Sequence, residues 1–120
     1  MKTKQDPRHL TRTHLMRELF AWDFRKDKKP SDLKEVVENL EQIDRLIKAA
    51  AAERPITEIN KIDLAILRLS IFELIMKRGV PYKVVVDEAV ELGKEFGSNS
   101  SASFINGVLG KVIEEQKINE

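Results

Sequence analysis

The sequence contains no cysteine, which excludes disulfides, thiolate zinc sites and cysteine nucleophiles and fits a reducing compartment. Aromatic residues make up only 6% of the 120 residues. The longest mostly apolar stretch, residues 62–76, is interrupted by charges and is shorter than the roughly 20 apolar residues that cross a bilayer. The first ten residues lack the apolar segment of a secretory signal. We therefore expect a cytoplasmic protein that does not contact the membrane.

Patterns typical of catalytic and metal sites are missing as well. The two histidines, His9 and His14, are five residues apart and would point in different directions on a helix, so they are not spaced to share a metal ion. The serines near residue 100 do not lie in a nucleophile-elbow motif, and the sequence has no glycine-rich phosphate loop. We predict no metal, no cofactor and no enzymatic activity.

What the sequence does contain is helical hydrophobic spacing, which predicts an all-α bundle. Asp6 and Pro7 are typical of a helix start, and Thr57 is a plausible cap further along. The segment after Thr57 is apolar around most of its circumference, so it should form the hub of the core. The predicted helices span residues 7–26, 32–52, 57–78 and 100–116. A further helix, between the third and the last of these, is predicted to end before Gly97.

Two features of these helices need tertiary partners. Asp63, Arg68 and Glu73 interrupt the hub helix, and because an unpaired buried charge is costly, we interpret them as structural ion pairs. Gly107 and Gly110 weaken the last helix by roughly 1 kcal/mol each relative to alanine. We expect close packing against another helix to compensate for these glycines.

The charges are distributed unevenly along the chain. Residues 1–29 contain nine lysines and arginines against four acidic residues, whereas residues 30–120 contain twelve against sixteen. The net charges are therefore +5 and −4, which agree with the overall +1. Such a basic end is suited to a polyanion, and the acidic body is suited to a different partner.

The basic first helix is the strongest candidate for a binding site. Arg8 and Arg12 lie one turn apart, and Arg12 falls on the core-facing line of the helix, so that arginine extends this line beyond the core. Cations in the first turns oppose the helix dipole, a cost that a bound phosphate would offset. Lys4 and His9 add to the cluster, and Phe20 offers a stacking face. Ordinary solvated charge explains the composition equally well.

Several motifs resemble those of one protein family. Residues 63–74 follow the pattern D-x-x-I-L-R-L-x-x-F-E-L, residues 80–92 read V-P-Y-K-V-V-V-D-E-A-V-E-L, and residues 104–109 read F-I-N-G-V-L. With the basic first helix and its L-F-A-W at residues 19–22, the chain resembles the NusB family of transcription antitermination factors. The resemblance implies a NusB-like helical fold of two small packed bundles, a reduced one over residues 1–54 and a second over residues 55–120.

The resemblance also implies a function. Family members bind the boxA element of nascent RNA together with NusE, a ribosomal protein of the small subunit, in complexes that make RNA polymerase processive, notably on ribosomal RNA operons. By position, Arg8 and Arg12 match basic residues of the family's arginine-rich motif, and Phe20 matches an aromatic residue that is usually tyrosine, so the resemblance implies RNA binding at the first helix. Ser100 and Phe104 match a second RNA-proximal patch.

Two departures from the family keep alternatives open. The connection after the first helix is shorter than in the family, and His9 and Leu10 stand where the family often has arginines. The second hypothesis is therefore a protein-interaction module or dimer of the same fold with weakened or lost RNA binding. A third, the RNA-binding domain found fused to ribosomal RNA methyltransferases, is less favoured because no catalytic domain follows Glu120.

Overall fold

A computed structural model describes residues 6–26 and 31–119 of the chain. Within these ranges the protein is all helical, as predicted, and no helix is long and apolar enough to cross a membrane. The α-helices are α1 (Pro7–Arg25), α2 (Lys34–Glu38), α3 (Leu40–Ala50), α4 (Lys61–Ile71), α5 (Tyr82–Phe96) and α6 (Ser101–Glu115). They are joined in part by two 3-10 turns, Ser31–Leu33 and Ile56–Glu58, and by a π-helical turn, Phe72–Lys77.

The hub helix, α4, is the centre of the core. Every residue from 63 to 71 is buried, and α4 packs against α1, α3, α5 and α6. The prediction of a surrounded central helix is thus confirmed. Its start was predicted wrongly, because Asn60 rather than Thr57 is the N-cap. The Asn60 side-chain oxygen accepts a hydrogen bond from the backbone N–H of Ile62 at 2.8 Å.

The predicted helix over residues 32–52 is broken at Asn39. Its backbone has φ −105° and ψ 9°, and its side-chain amide donates a hydrogen bond to the backbone oxygen of Glu35 at 2.7 Å. Asparagine competes in this way with the helical backbone pattern. The apolar stripe nevertheless continues across the break, because Val36 and Ile43 are both buried.

The hub helix also ends differently from the prediction. Residues 72–77 form a π-helical turn, and the backbone N–H of Arg78 donates to the oxygen of Glu73, five residues earlier. Arg78 then adopts φ 51° and Gly79 adopts φ 133°, a backbone conformation that favours glycine. This turn redirects the chain into α5.

The expected close packing of Gly107 and Gly110 is wrong. A Cβ atom at either position would meet nothing within 4 Å, and both residues are exposed on α6. The close approach between α5 and α6 occurs at two other glycines. A Cβ atom would lie 2.9 Å from Ile105 Cδ1 at Gly93 and 2.2 Å from Ser101 Oγ at Gly97.

Candidate nucleic-acid interface

The N-terminus of α1 is built as the sequence predicted. The Asp6 carboxylate accepts a hydrogen bond from the backbone N–H of Arg8 at 2.8 Å, and Pro7 occupies the first helical turn. The Arg8 side chain is 81% exposed, and its Nε lies 3.7 Å from Asp6 Oδ1. Arg8 is therefore accessible to an anion. Lys4, the other predicted phosphate contact in this region, lies outside the described residues.

Arg12 has a different environment from the one expected. Instead of extending beyond the core, its guanidinium is buried and donates two hydrogen bonds to Glu73, from Nε at 2.9 Å and from Nη2 at 2.8 Å. The hydrogen bonds to Glu73 raise the pKa of Arg12 above its ordinary value despite burial. This bidentate pair satisfies the charge within the protein and fastens α1 to the turn after α4.

His9 is likewise buried between carboxylates. Its Nδ1 lies 2.9 Å from Glu88 Oε1, and its Nε2 is hydrogen-bonded to Glu95, so α1 is joined to α5 at two points. Burial disfavours the imidazolium, but the hydrogen bonds to the two carboxylates outweigh this effect and raise the pKa of His9 above its ordinary value. Both ring nitrogens can donate only in the protonated form, which this site therefore favours.

The three charged residues of the hub helix do not pair with one another. Glu73 binds Arg12, as described above, and Arg68 donates to Asp44 at 2.9 and 3.0 Å and to Asp23 at 3.2 Å. These ion pairs tie α1 and α3 to the hub helix. Asp63 Oδ1 has no hydrogen-bond partner within the described residues, and the ion-pair role of Asp63 stays a prediction.

Asp23 is the second acceptor of this cluster. Its Oδ2 lies 3.1 Å from Lys61 Nζ, and its Oδ1 accepts from Arg68. Burial alone would raise the pKa of the Asp23 carboxyl, but the two cations outweigh burial and lower it below the ordinary value. The cluster therefore holds an ionised carboxylate against the hub.

A groove of about 540 Å³ runs between α1, α2 and the π-helical turn. Arg8 and Arg12 both line it, but Phe20 and Phe104 do not. Phe104 lines a separate cavity beside α3, where the guanidinium of Arg54 lies 4.2 Å from its ring centroid. The predicted RNA contacts are thus distributed over more than one part of the surface.

Phe20 lies on another side of α1, half-buried, with its ring centroid 5.0 Å from that of Phe24 in an edge-to-face arrangement. Phe24 is 63% exposed. One turn before Phe20, the guanidinium of Arg17 lies 4.9 Å from the ring centroid of Phe96 on α5. The exposed ring of Phe24 was not predicted from the sequence, although its i+4 spacing from Phe20 was a usable signal.

The second predicted patch begins in the turn between α5 and α6. The Ser100 hydroxyl is exposed and lies 3.3 Å from the Ser98 hydroxyl, while Ser101 Oγ accepts a hydrogen bond from the backbone N–H of Ser98 at 2.8 Å. These contacts hold the turn before α6, whose N-cap Ser100 makes no side-chain capping hydrogen bond and lies one turn of the helix before Phe104. Arg54, whose guanidinium lies over the Phe104 ring, was also missed, because it lies in the turn after α3, 50 positions before Phe104 in the sequence.

One further group of polar side chains has metal-ligating atoms close together. Within the part of the chain that the structure describes, the ligating atoms of His14, Glu18 and Asp32 lie within 4.8 Å of one another. All three side chains are at least a third exposed, and His14 Nε2 is 3.3 Å from Glu18 and 3.9 Å from Asp32. Surface ion pairing explains this proximity.

Comparison with known proteins places these features in one family. The sequence profile described as the NusB family matches residues 32–114 of the chain. The chain belongs to the NusB family. The match contains the three motifs within residues 63–109, and it begins after α1 and the L-F-A-W at residues 19–22.

Curated NusB relatives match over a similar length. The transcription antitermination protein NusB of Alkaliphilus oremlandii is 42% identical over 84 residues, which cover 70% of this chain and 61% of that protein. The protein of the same name from Dehalococcoides mccartyi is 49% identical over 77 residues, or 64% and 54% of the two chains. The matched part thus spans between one half and two thirds of these NusB proteins.

The similarity to a solved NusB structure extends further. T. maritima NusB superimposes with a TM-score of 0.81 at 29% identity, covering 96% of this chain and 94% of that chain. This coverage includes α1, which the family profile does not match. The NusB-like fold therefore includes α1, which carries Arg8 and Phe20, together with residues 32–114 that the family profile matches.

Proposed function

We propose that this NusB-family chain is a transcription antitermination factor that binds single-stranded, boxA-like RNA. NusE, the small-subunit ribosomal protein, binds with it, and the assembly makes RNA polymerase processive, notably on ribosomal RNA operons. The observation that carries the proposal is the family match over residues 32–114, whose relatives are named transcription antitermination protein NusB.

The geometry supports different roles for the predicted site residues. Arg8 is exposed at the N-terminus of α1, where backbone N–H groups and the helix dipole favour phosphate. Phe20, Phe104 and Ser100 present aromatic or hydroxyl groups at the surface. His9 and Arg12 are instead neutralised by carboxylates, so we propose that they hold α1 in place for RNA binding and do not contact phosphate themselves.

Titration of labelled boxA-like RNA, with and without NusE, tests the proposal by fluorescence anisotropy at several salt concentrations. Arg8→Ala should weaken binding and reduce the slope of log K against log salt by about 0.7, the value for one phosphate contact on a single strand. Arg45→Ala, which removes an exposed arginine on α3, is the matched control. An unchanged affinity and slope for Arg8→Ala would exclude Arg8 as an RNA contact, and absence of binding by the wild type with NusE would exclude the function.

The second candidate function is a protein-interaction module of the same fold. The observation that favours it is the internal neutralisation of His9 and Arg12, which leaves fewer cations of α1 available to RNA. NusE binding that is unaffected by RNA, together with no RNA binding in either condition, would support this module.

A further inference from the structure

Three side chains form a stripe along one face of α1. Arg17, Phe20 and Phe24 follow one another at spacings of three and four residues, which places them on the same side of a helix. Phe96 of α5 lies under Arg17 and continues the stripe onto the neighbouring helix. We call these four residues the aromatic stripe. It contains three of the five phenylalanines in the chain.

The stripe exposes an aromatic ring that folding alone would bury. Phe24 is 63% exposed, and among the described residues the other exposed large hydrophobic residue is Leu10, at 51%. An isolated exposed apolar residue needs no explanation. Here, however, the Phe24 ring is held edge-to-face by Phe20 at 5.0 Å, and the next ring carries a guanidinium. The stripe is therefore an ordered aromatic surface rather than a single exposed side chain.

The charges around the stripe favour an anionic partner. The two acidic residues within α1 are engaged elsewhere, since Glu18 lies 3.3 Å from His14 and Asp23 binds Lys61 and Arg68. Asp23 also lies 3.6 Å from Lys26 Nζ, so the cation that the stripe itself presents is the exposed Arg17. Aromatic faces combined with cations are the features by which proteins bind unpaired nucleotides, through base stacking and phosphate contacts.

We propose that the aromatic stripe is a stacking platform for unpaired bases of the RNA, with Phe24 as its principal contact and Arg17 as its phosphate contact. The inference rests on the proposed RNA-binding function and extends it along the helix. From Arg8 to Phe24 the distance along the axis is about 24 Å, at 1.5 Å per residue. Because 3.6 residues complete each turn, Arg8 and Phe24 lie about 160° apart around the helix, so an RNA strand that contacts both must cross α1 as it runs along it.

Substitutions at Phe24 test the platform without disturbing the core. Phe24→Leu keeps an apolar side chain and removes the aromatic face, so affinity for labelled boxA-like RNA should fall by about fivefold or more. Phe24→Tyr should bind as the wild type does. Leu10→Ala, which truncates the other exposed apolar residue about 21 Å away on the same helix, is the matched control and should leave affinity unchanged.

Two further measurements separate stacking from other contributions. A ribose-phosphate oligomer without bases should bind wild type and Phe24→Leu equally. The indole fluorescence of the Phe24→Trp variant should be quenched by boxA-like RNA. The fluorescence of Trp22, which is 8% exposed, is measured in the wild type and subtracted.

The outcomes distinguish the platform from the function on which it rests. If the wild type binds RNA and Phe24→Leu binds it equally, with no quenching in Phe24→Trp, the platform is excluded and the proposed function stands. If the Phe24→Leu variant no longer binds NusE but still binds RNA as the wild type does, the stripe is a protein contact and the inference is overturned. If the wild type binds no RNA with NusE present, both proposals fail.

Discussion

The imidazole Nδ1 of His9 lies 2.9 Å from Oε1 of Glu88, although 79 positions separate the two residues. This contact and the Glu95 contact on the other ring nitrogen join the start of α1 to α5. Arg8, which is exposed, directly precedes this buried histidine in the chain.

Stability should depend on pH through His9. The pKa of His9 is raised in the folded protein, so its stabilisation is fully present below about pH 6.5, the ordinary value, and is lost as pH rises through the folded pKa. The free energy of unfolding by urea, measured between pH 5.5 and 9, should therefore fall with pH across this window. The His9→Gln substitution should flatten the dependence of the unfolding free energy on pH. The His14→Gln substitution, at an exposed position, should leave that dependence unchanged. Equal pH dependence in wild type and His9→Gln would contradict the assignment.

Loss of Arg12 should destabilise the protein more than it alters RNA contacts. Arg12→Ala leaves the Glu73 carboxylate buried without its bidentate partner, at a cost of about 3–5 kcal/mol in the free energy of unfolding. The double variant Arg12→Met with Glu73→Leu should recover most of that loss, because it replaces the ion pair with apolar contacts. Chemical denaturation measures the free energy of unfolding of the single and the double variant. A small loss in the single variant would show that Glu73 does not depend on Arg12.

Two glycine-to-alanine substitutions should have opposite effects. Gly97→Ala places a Cβ 2.2 Å from Ser101 Oγ and 2.8 Å from the backbone oxygen of Gly93, so it should lower the melting temperature. Gly107→Ala meets nothing within 4 Å in a helix interior and should stabilise by about 0.5–1 kcal/mol. Calorimetry of the two variants provides the comparison, and each serves as the other's control. Destabilisation by Gly107→Ala would contradict the open environment at this position.

Acid unfolding should depend on Asp23. Its pKa is lowered in the folded protein, so its stabilisation is present above its ordinary value of 3.8 and is lost as pH falls through the folded pKa. Asp23→Asn should lower stability near neutral pH and flatten the acid transition measured by circular dichroism. Asp63→Asn is the matched control on the hub helix, because Asp63 Oδ1 has no hydrogen-bond partner among the described residues. Equal acid transitions for the two variants would exclude an ion-pair role for Asp23.

The sequence by itself determined the features that depend on local chemistry. Asp6 and Pro7 mark the start of α1 because a carboxylate caps the first amides and proline lacks an N–H that would be unpaired there. The apolar circumference of residues 63–71 determined that α4 is surrounded by other helices. The motifs within residues 63–109 were sufficient for the family.

Tertiary structure alone decided which charges are available to a partner. The sequence placed Arg12 on the core-facing line of α1, but not its pairing with Glu73, 61 positions away, whereas Arg8 one turn earlier is exposed. No local pattern encodes that pairing, because it depends on how the π-helical turn and α5 pack against α1. The same long-range packing placed Arg54 over Phe104 and left Phe24 exposed. Burial and pairing of charge follow from contacts between distant segments, whereas helix starts and amphipathic faces follow from neighbours in the chain.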